Sequence, residues 1–176
     1  DQLTGVRRPA CDQVDERVKV INLRRSIALY IEEHGAANPY LQSLAGQVEE
    51  IIEQLHQRQI SATTALEQMQ GKAEQAVAAQ EERAASELDN LAFSLRMTLR
   101  AHLPAASQQT TDVEAMAQGI AAYLRANAGW PQNPALESQV RLELLKRVLA
   151  VWPKPANPLE TGRVVEDLLK MQGITG

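Results

Sequence analysis

Cysteine occurs once in the chain, at Cys11, so no disulfide can form within it. Stability has to come from packing, and a reducing cytoplasm is a compatible setting. Aromatic residues make up only 3% of the sequence, with a single phenylalanine. Strands favour aromatic and β-branched side chains, so this scarcity argues against a sheet protein. No uninterrupted apolar run approaches the roughly 18 residues that a membrane span needs, and no charged start leads into an apolar core as in a signal peptide. The reading is therefore of a soluble protein without membrane contact. A cationic excess is missing too. Eighteen Lys and Arg stand against 22 Asp and Glu, giving a net charge of −4 and a pI near 5.5. A surface built throughout to hold nucleic acid or anionic lipid would carry the opposite sign.

Catalytic signatures are also sparse. Gly71-Lys72 is no phosphate loop, because residue 66 is Leu where the first glycine belongs and Ala73 replaces the metal-binding hydroxyl. The "DER" of Asp15–Arg17 follows no apolar strand, unlike an acidic ATPase box. His34, His56 and His102 lie far apart, with neither a CxxC pair nor an HExxH helix. Glu53 and His56 have the Glu-x-x-His spacing of di-iron bundles, but such bundles repeat it on a second helix and here it occurs once. Both project away from the apolar face of their helix, as a solvated pair does. The expectation is that this chain holds no catalytic, cofactor or metal site.

What is present is helical. Alanine, leucine, glutamine, glutamate and arginine dominate, and apolar residues recur at helical spacing. The sequence predicts an all-α bundle of five or six principal helices, with room for two small lobes in its 176 residues. Val20, Leu23, Ile27, Tyr30 and Ile31 define one helix ending at Gly35, although "VKVI" at its start also suits a short strand. Leu44, Val48, Ile51, Ile52 and Leu55 form the face of the next. The steps Asn38-Pro39, Asn133-Pro134 and Asn157-Pro158 each precede an amphipathic stretch and predict helix starts. Thr111 with Glu114, and Ser86 with Asp89, have capping-box spacing.

Between these lies a long segment whose seam of Ala62, Leu66, Met69, Ala73 and Ala76 fails at Gln80–Arg83 and resumes with Leu88, Leu91, Leu95 and Leu99. A helix break is expected near Ala84–Ser86, dividing residues 15–176 into sub-lobes 15–84 and 86–176 after a flexible segment 1–14. Residues 103–111, "LPAASQQTT", are expected to be a loop. The chain opens "DQLTGVRRPACDQ" without an initiator methionine, as a fragment cut from a longer protein or a processed end would.

Two cations invite a functional reading. Arg24 sits in the apolar arc of the first helix, and Arg141 in that of the helix over 134–152. A buried cation needs a partner, expected from a neighbouring helix, a partner protein or phosphate rather than from its own helix. The 134–152 helix itself is predicted to be a core helix packed on several sides. Its Arg141, Lys146 and Arg147 lie roughly 100–140° apart at about 100° per residue and form no phosphate-binding stripe.

In that order along the chain, "RVKVINLRRSIALYIEEHGAANPYLQSLAGQVEEIIEQLHQRQISATTALEQM", "ELDNLAFSLRMTL", "GWPQNPALESQVRLELLKRVL" and "VVEDLLKMQ" resemble the C-terminal helical region of type I restriction enzyme R subunits. The likeness runs from about residue 14 to the end. It implies the tail of a large cytoplasmic motor subunit whose nuclease domain and ATP- and Mg-dependent helicase lobes lie elsewhere. It also implies partners, namely the modification and specificity subunits, with DNA met weakly or indirectly. A clearer glycine-containing turn around Glu81–Ser86 would fit that pattern better. Two other roles suit the same residues: a DNA-contacting helical module, and a free-standing helical regulator.

Overall fold

A computed structural model describes the backbone of residues 9–175 and the side-chain surroundings of residues 15–172. Residues 1–8, most of the expected N-terminal segment, and the side chain of Cys11 lie outside the described residues. The described chain is all-α, without a strand. Among the described residues there are eight α-helices, against the five or six principal ones that the sequence predicts: α1 Pro9–His34, α2 Tyr40–His56, α3 Ala62–Ala85, α4 Asn90–His102, α5 Ala105–Thr110, α6 Val113–Ala126, α7 Pro134–Val151 and α8 Pro158–Thr175. α1 starts six residues before the expected boundary at 15, and "VKVI" lies in its interior rather than in a strand.

Capping explains most of these boundaries. Asn133 accepts from the amides of Ala135 and Leu136, with Pro134 in the first turn of α7. Asn157 accepts from Leu159 at the start of α8. Two of the expected caps move by one or a few residues. α4 is capped by Asp89, which accepts from Ala92, while Ser86 accepts from Leu88 in the preceding turn. α6 is capped by Asp112, which accepts from Ala115, and Thr111 instead closes α5. Each aspartate stands next to the start of its helix, where a carboxylate also meets the positive helix end. The expected loop over 103–111 holds the six-residue α5, closed by backbone bonds back to Pro104 and Ser107.

At the end of α1, Gly35 donates to Ile31 at 2.7 Å. A Cβ there would meet the Ile31 carbonyl oxygen at 2.5 Å, so only glycine fits this turn.

The chain divides into two compact units, residues 1–36 with 41–82, and residues 37–40 with 83–176. In the first, α1, α2 and α3 enclose an aliphatic core of Val20, Ile27, Val48, Ile52, Ala65 and Met69, among others. Hydrogen bonds from Arg24 to Glu49 and from Thr63 to Glu16 join α1 to α2 and to α3. In the second, α4 packs on α6 and α8, and α7 on α8. Phe93, Leu95, Leu99, Ile120, Leu124, Leu144 and Leu168 are fully buried there.

Packing on several sides, the expectation for the 134–152 helix, is not what α7 does. It buries one face only, Val140, Leu144 and Val148 at intervals of four, while Leu142 and Leu149 are 53% and 38% exposed. Helical spacing alone does not separate these two apolar faces, because both carry leucine.

Candidate functional site

The two cations singled out in the sequence lie in different units. Arg24 forms a two-point pair with Glu49 of α2, Nε to Oε1 at 2.8 Å and Nη2 to Oε2 at 2.7 Å. Both side chains are about half exposed, 46% and 56%, so the guanidinium is reached by water rather than enclosed. Arg141 donates through Nε to Glu137 at 2.9 Å and through Nη1 to Glu166 of α8. The hydrogen bond to Glu137, then that to Glu166, pushes its pKa up. Glu166 is the kind of neighbouring-helix partner expected, while Glu137, four residues before Arg141 on α7 itself, is a second partner that was not. That spacing places the two side chains on one helix face.

Arg147 follows the same rule. Its Nε lies 3.0 Å from Glu143, and its guanidinium sits 5.4 Å from the Tyr123 ring centroid. Lys146 is exposed. Two of the three cations of α7 are thus tied to carboxylates of the protein.

Arginine also organises the second core. Arg96, 7% exposed, pairs with Glu114 at 3.2 Å and lies 5.1 Å from the Phe93 ring centroid. From Arg83, Nη2 donates to Asn90 at 2.7 Å and Nε to the Ala37 carbonyl at 3.3 Å, and its guanidinium lies 5.4 Å from the same ring. Both distances fall within the reach of a cation–π contact, about 6 Å. Sequence reasoning missed both residues, since neither lies at a meaningful spacing from its partner on another segment.

The motifs weighed for catalysis have structural surroundings. Gly71-Lys72 lies inside α3, with no loop that could wrap a phosphate. Asp15 pairs with Lys19 at 2.6 Å on α1. Glu53 and His56 are exposed on α2. His102 lies 3.0 Å from Asp167, and the His34 ring packs at a tilt against that of Tyr30. Among the described residues no group of three or more His, Cys, Asp and Glu could hold a metal. Among the same residues no helix is long and apolar enough to cross a membrane.

A further feature is a groove of about 490 Å³ between α2 and α3. Gln47 and Gln54 line one wall, Gln68, Lys72 and Gln75 the other, with Gly71 and Ile51 between them. Lys72 Nζ donates to Gln47 at 2.7 Å and to Gln75 at 3.1 Å, and burial lowers its pKa.

Comparison with protein-family models, with curated proteins and with solved structures finds no match.

Proposed function

We propose that this chain is a non-catalytic docking module that seats the motor subunit of a cytoplasmic type I restriction enzyme on its modification and specificity subunits. The observation that carries the docking part is an unpartnered apolar face on α1. Val18, Ile21 and Leu29 are 49%, 63% and 57% exposed. They lie within roughly 80° of one another at about 100° per residue. Clustered exposed aliphatic side chains mark protein-interaction surfaces, whereas single ones carry no such meaning. The resemblance of the segments between residues 17 and 172 to R-subunit tails supplies the partner.

DNA contact is disfavoured on electrostatic grounds. Nonspecific binding draws its free energy from counterions released as Lys and Arg meet phosphates. With Arg141 held by Glu137 and Glu166, and Arg147 by Glu143, α7 keeps only Lys146 without a carboxylate partner. Nuclease and ATPase chemistry, with its ATP and Mg, belongs in this reading to the parent subunit's other domains.

The test is retention of the methyltransferase assembly by the immobilised chain, beside a duplex-DNA titration at about 150 mM salt, where ordinary nonspecific binding is about 10⁻⁴–10⁻⁶ M. The wild type is expected to retain the assembly, and Ile21→Asp with Leu29→Asp to lose it without loss of helicity. Submicromolar DNA binding with no retention overturns the docking reading in favour of DNA contact.

A further inference from the structure

The groove between α2 and α3 has a composition that the packing of the first unit does not call for. Its walls carry four glutamine side chains, Gln47 and Gln54 on α2 and Gln68 and Gln75 on α3, each pair seven residues apart. Seven residues are about two helical turns, so each pair points the same way with about 10 Å between its members. Every carboxamide offers one acceptor and two donors. Between them Gly71 lies in the middle of α3, where glycine weakens a helix relative to alanine. Nothing lies within 4 Å of where its Cβ would stand, so packing does not exclude a side chain there. The groove floor is therefore bare backbone beside the buried Ile51.

Lys72 sets the charge. Its ammonium bonds two neutral carboxamide oxygens, at 2.7 and 3.1 Å. Lys19, Arg24, Arg96, Arg125, Arg141, Arg147 and Lys170 all take carboxylates instead. An ammonium carries three donors, so two amide bonds leave its charge and one proton for an incoming anion. Glu50 on the same lining repels a second negative charge, which favours a single carboxylate over a phosphate dianion.

We propose that this groove binds a short extended peptide segment bearing one acidic side chain, its carboxylate on Lys72 and its backbone amides on the glutamines. An extended strand presents free N–H and C=O groups to the carboxamides, whereas a helical ligand has satisfied its own. About 10 Å of groove accommodates about three residues at roughly 3.3 Å each. The bare backbone at Gly71 lets the peptide approach closely. Any protein that carries such a segment can supply it, whether or not the chain serves a restriction enzyme.

The experiment titrates the full ¹⁵N-labelled chain with N-acetyl-Gly-Gly-Asp-Gly-amide, its Asn counterpart and inorganic phosphate, following glutamine side-chain amides and the Gly71 amide. The acidic peptide is expected to shift Gln47, Gln75 and Gly71 at least tenfold more tightly than the neutral one. Lys72→Gln is expected to remove that preference and Lys72→Arg to keep most of it. Gly71→Ala should weaken binding while leaving the melting temperature unchanged or higher, which separates lost binding from lost folding. Equal binding of both peptides, unchanged affinity in Lys72→Gln, or phosphate binding without peptide binding would each overturn the proposal.

Discussion

The two units solve the same problem, burial of helices without disulfides, with different materials. The first unit has a small aliphatic core in which alanines such as Ala62 and Ala65 let helices come close. The second is built around large residues, with Phe93 at its centre and Trp152 at its edge. Charge differs as well. Residues 1–36 and 41–82 hold eight Lys and Arg against thirteen Asp and Glu, while the second unit holds ten against nine. The second unit places two of its ten cations, Arg83 and Arg96, against its only phenylalanine. The first keeps Lys72 on two amides and leaves Val18, Ile21 and Leu29 uncovered. The second unit also leaves Leu142, Leu149 and Leu159 exposed, so what separates the two is core side-chain size and net charge rather than uncovered apolar surface.

The largest expected effect tests whether the units differ in cohesion. Phe93→Ala removes a fully buried ring, with an expected loss of about 3–5 kcal/mol. Amide exchange should then rise throughout α4, α6 and α8 while α2 and α3 keep their protection. Met69→Ala, at about 2–5 kcal/mol, should do the converse. If either variant exposes both units together, they share one cooperative core and the division between them is lost.

A smaller effect concerns how helices start. Asp89→Ala should cost about 1 kcal/mol through the lost cap of α4, and Ser86→Ala less than about 0.5 kcal/mol. The Arg125 pair adds little to this, because both partners are 52% exposed. Chemical denaturation of the two variants checks it, and a reversed order would return the cap to Ser86.

The smallest effect is at alkaline pH, and it sharpens the place of residues 37–40 in the second unit. Burial raises the pKa of Tyr40 above the ordinary 10.0. The folded chain therefore keeps a proton that the unfolded chain releases, so stability is undiminished below pH 10 and falls as pH rises beyond it. Tyr40→Phe should flatten that alkaline fall, measured by denaturation at stepped pH. Superimposable alkaline curves for the two proteins would count against a buried phenol.

Much of this architecture was legible because helix periodicity and Asn-Pro starts are local signals. Leu44, Val48, Ile51, Ile52 and Leu55 are all buried, as their spacing predicts. Asn133 and Asn157 work as read because proline fixes the register of the first turn. Ser86 and Thr111 misled for the opposite reason. Serine, threonine and aspartate are all good caps, so a cluster of them leaves the register open. α7 misled because a helix with two leucine faces has no unique inward side. Glu137 was readable beside Arg141 from a spacing of four, but Glu49 beside Arg24 needed the pairing of two helices. The groove was invisible for that reason too, since Gln47 and Lys72 are 25 residues apart.

Residues 37–40 carry one more consequence, for synthesis of the chain. They are made at the junction of the first and second helices but belong with the unit that begins again at residue 83. Arg83, which holds the Ala37 carbonyl, is translated 46 residues later. At about 5–20 residues per second, that segment waits about 2–9 s on the ribosome before its partner exists. The first unit is itself complete only at Glu82, one residue before Arg83, so α1, α2 and residues 37–40 wait for the same stretch of chain. Slowing translation between codons 40 and 83 lengthens the wait without altering any contact of the finished protein.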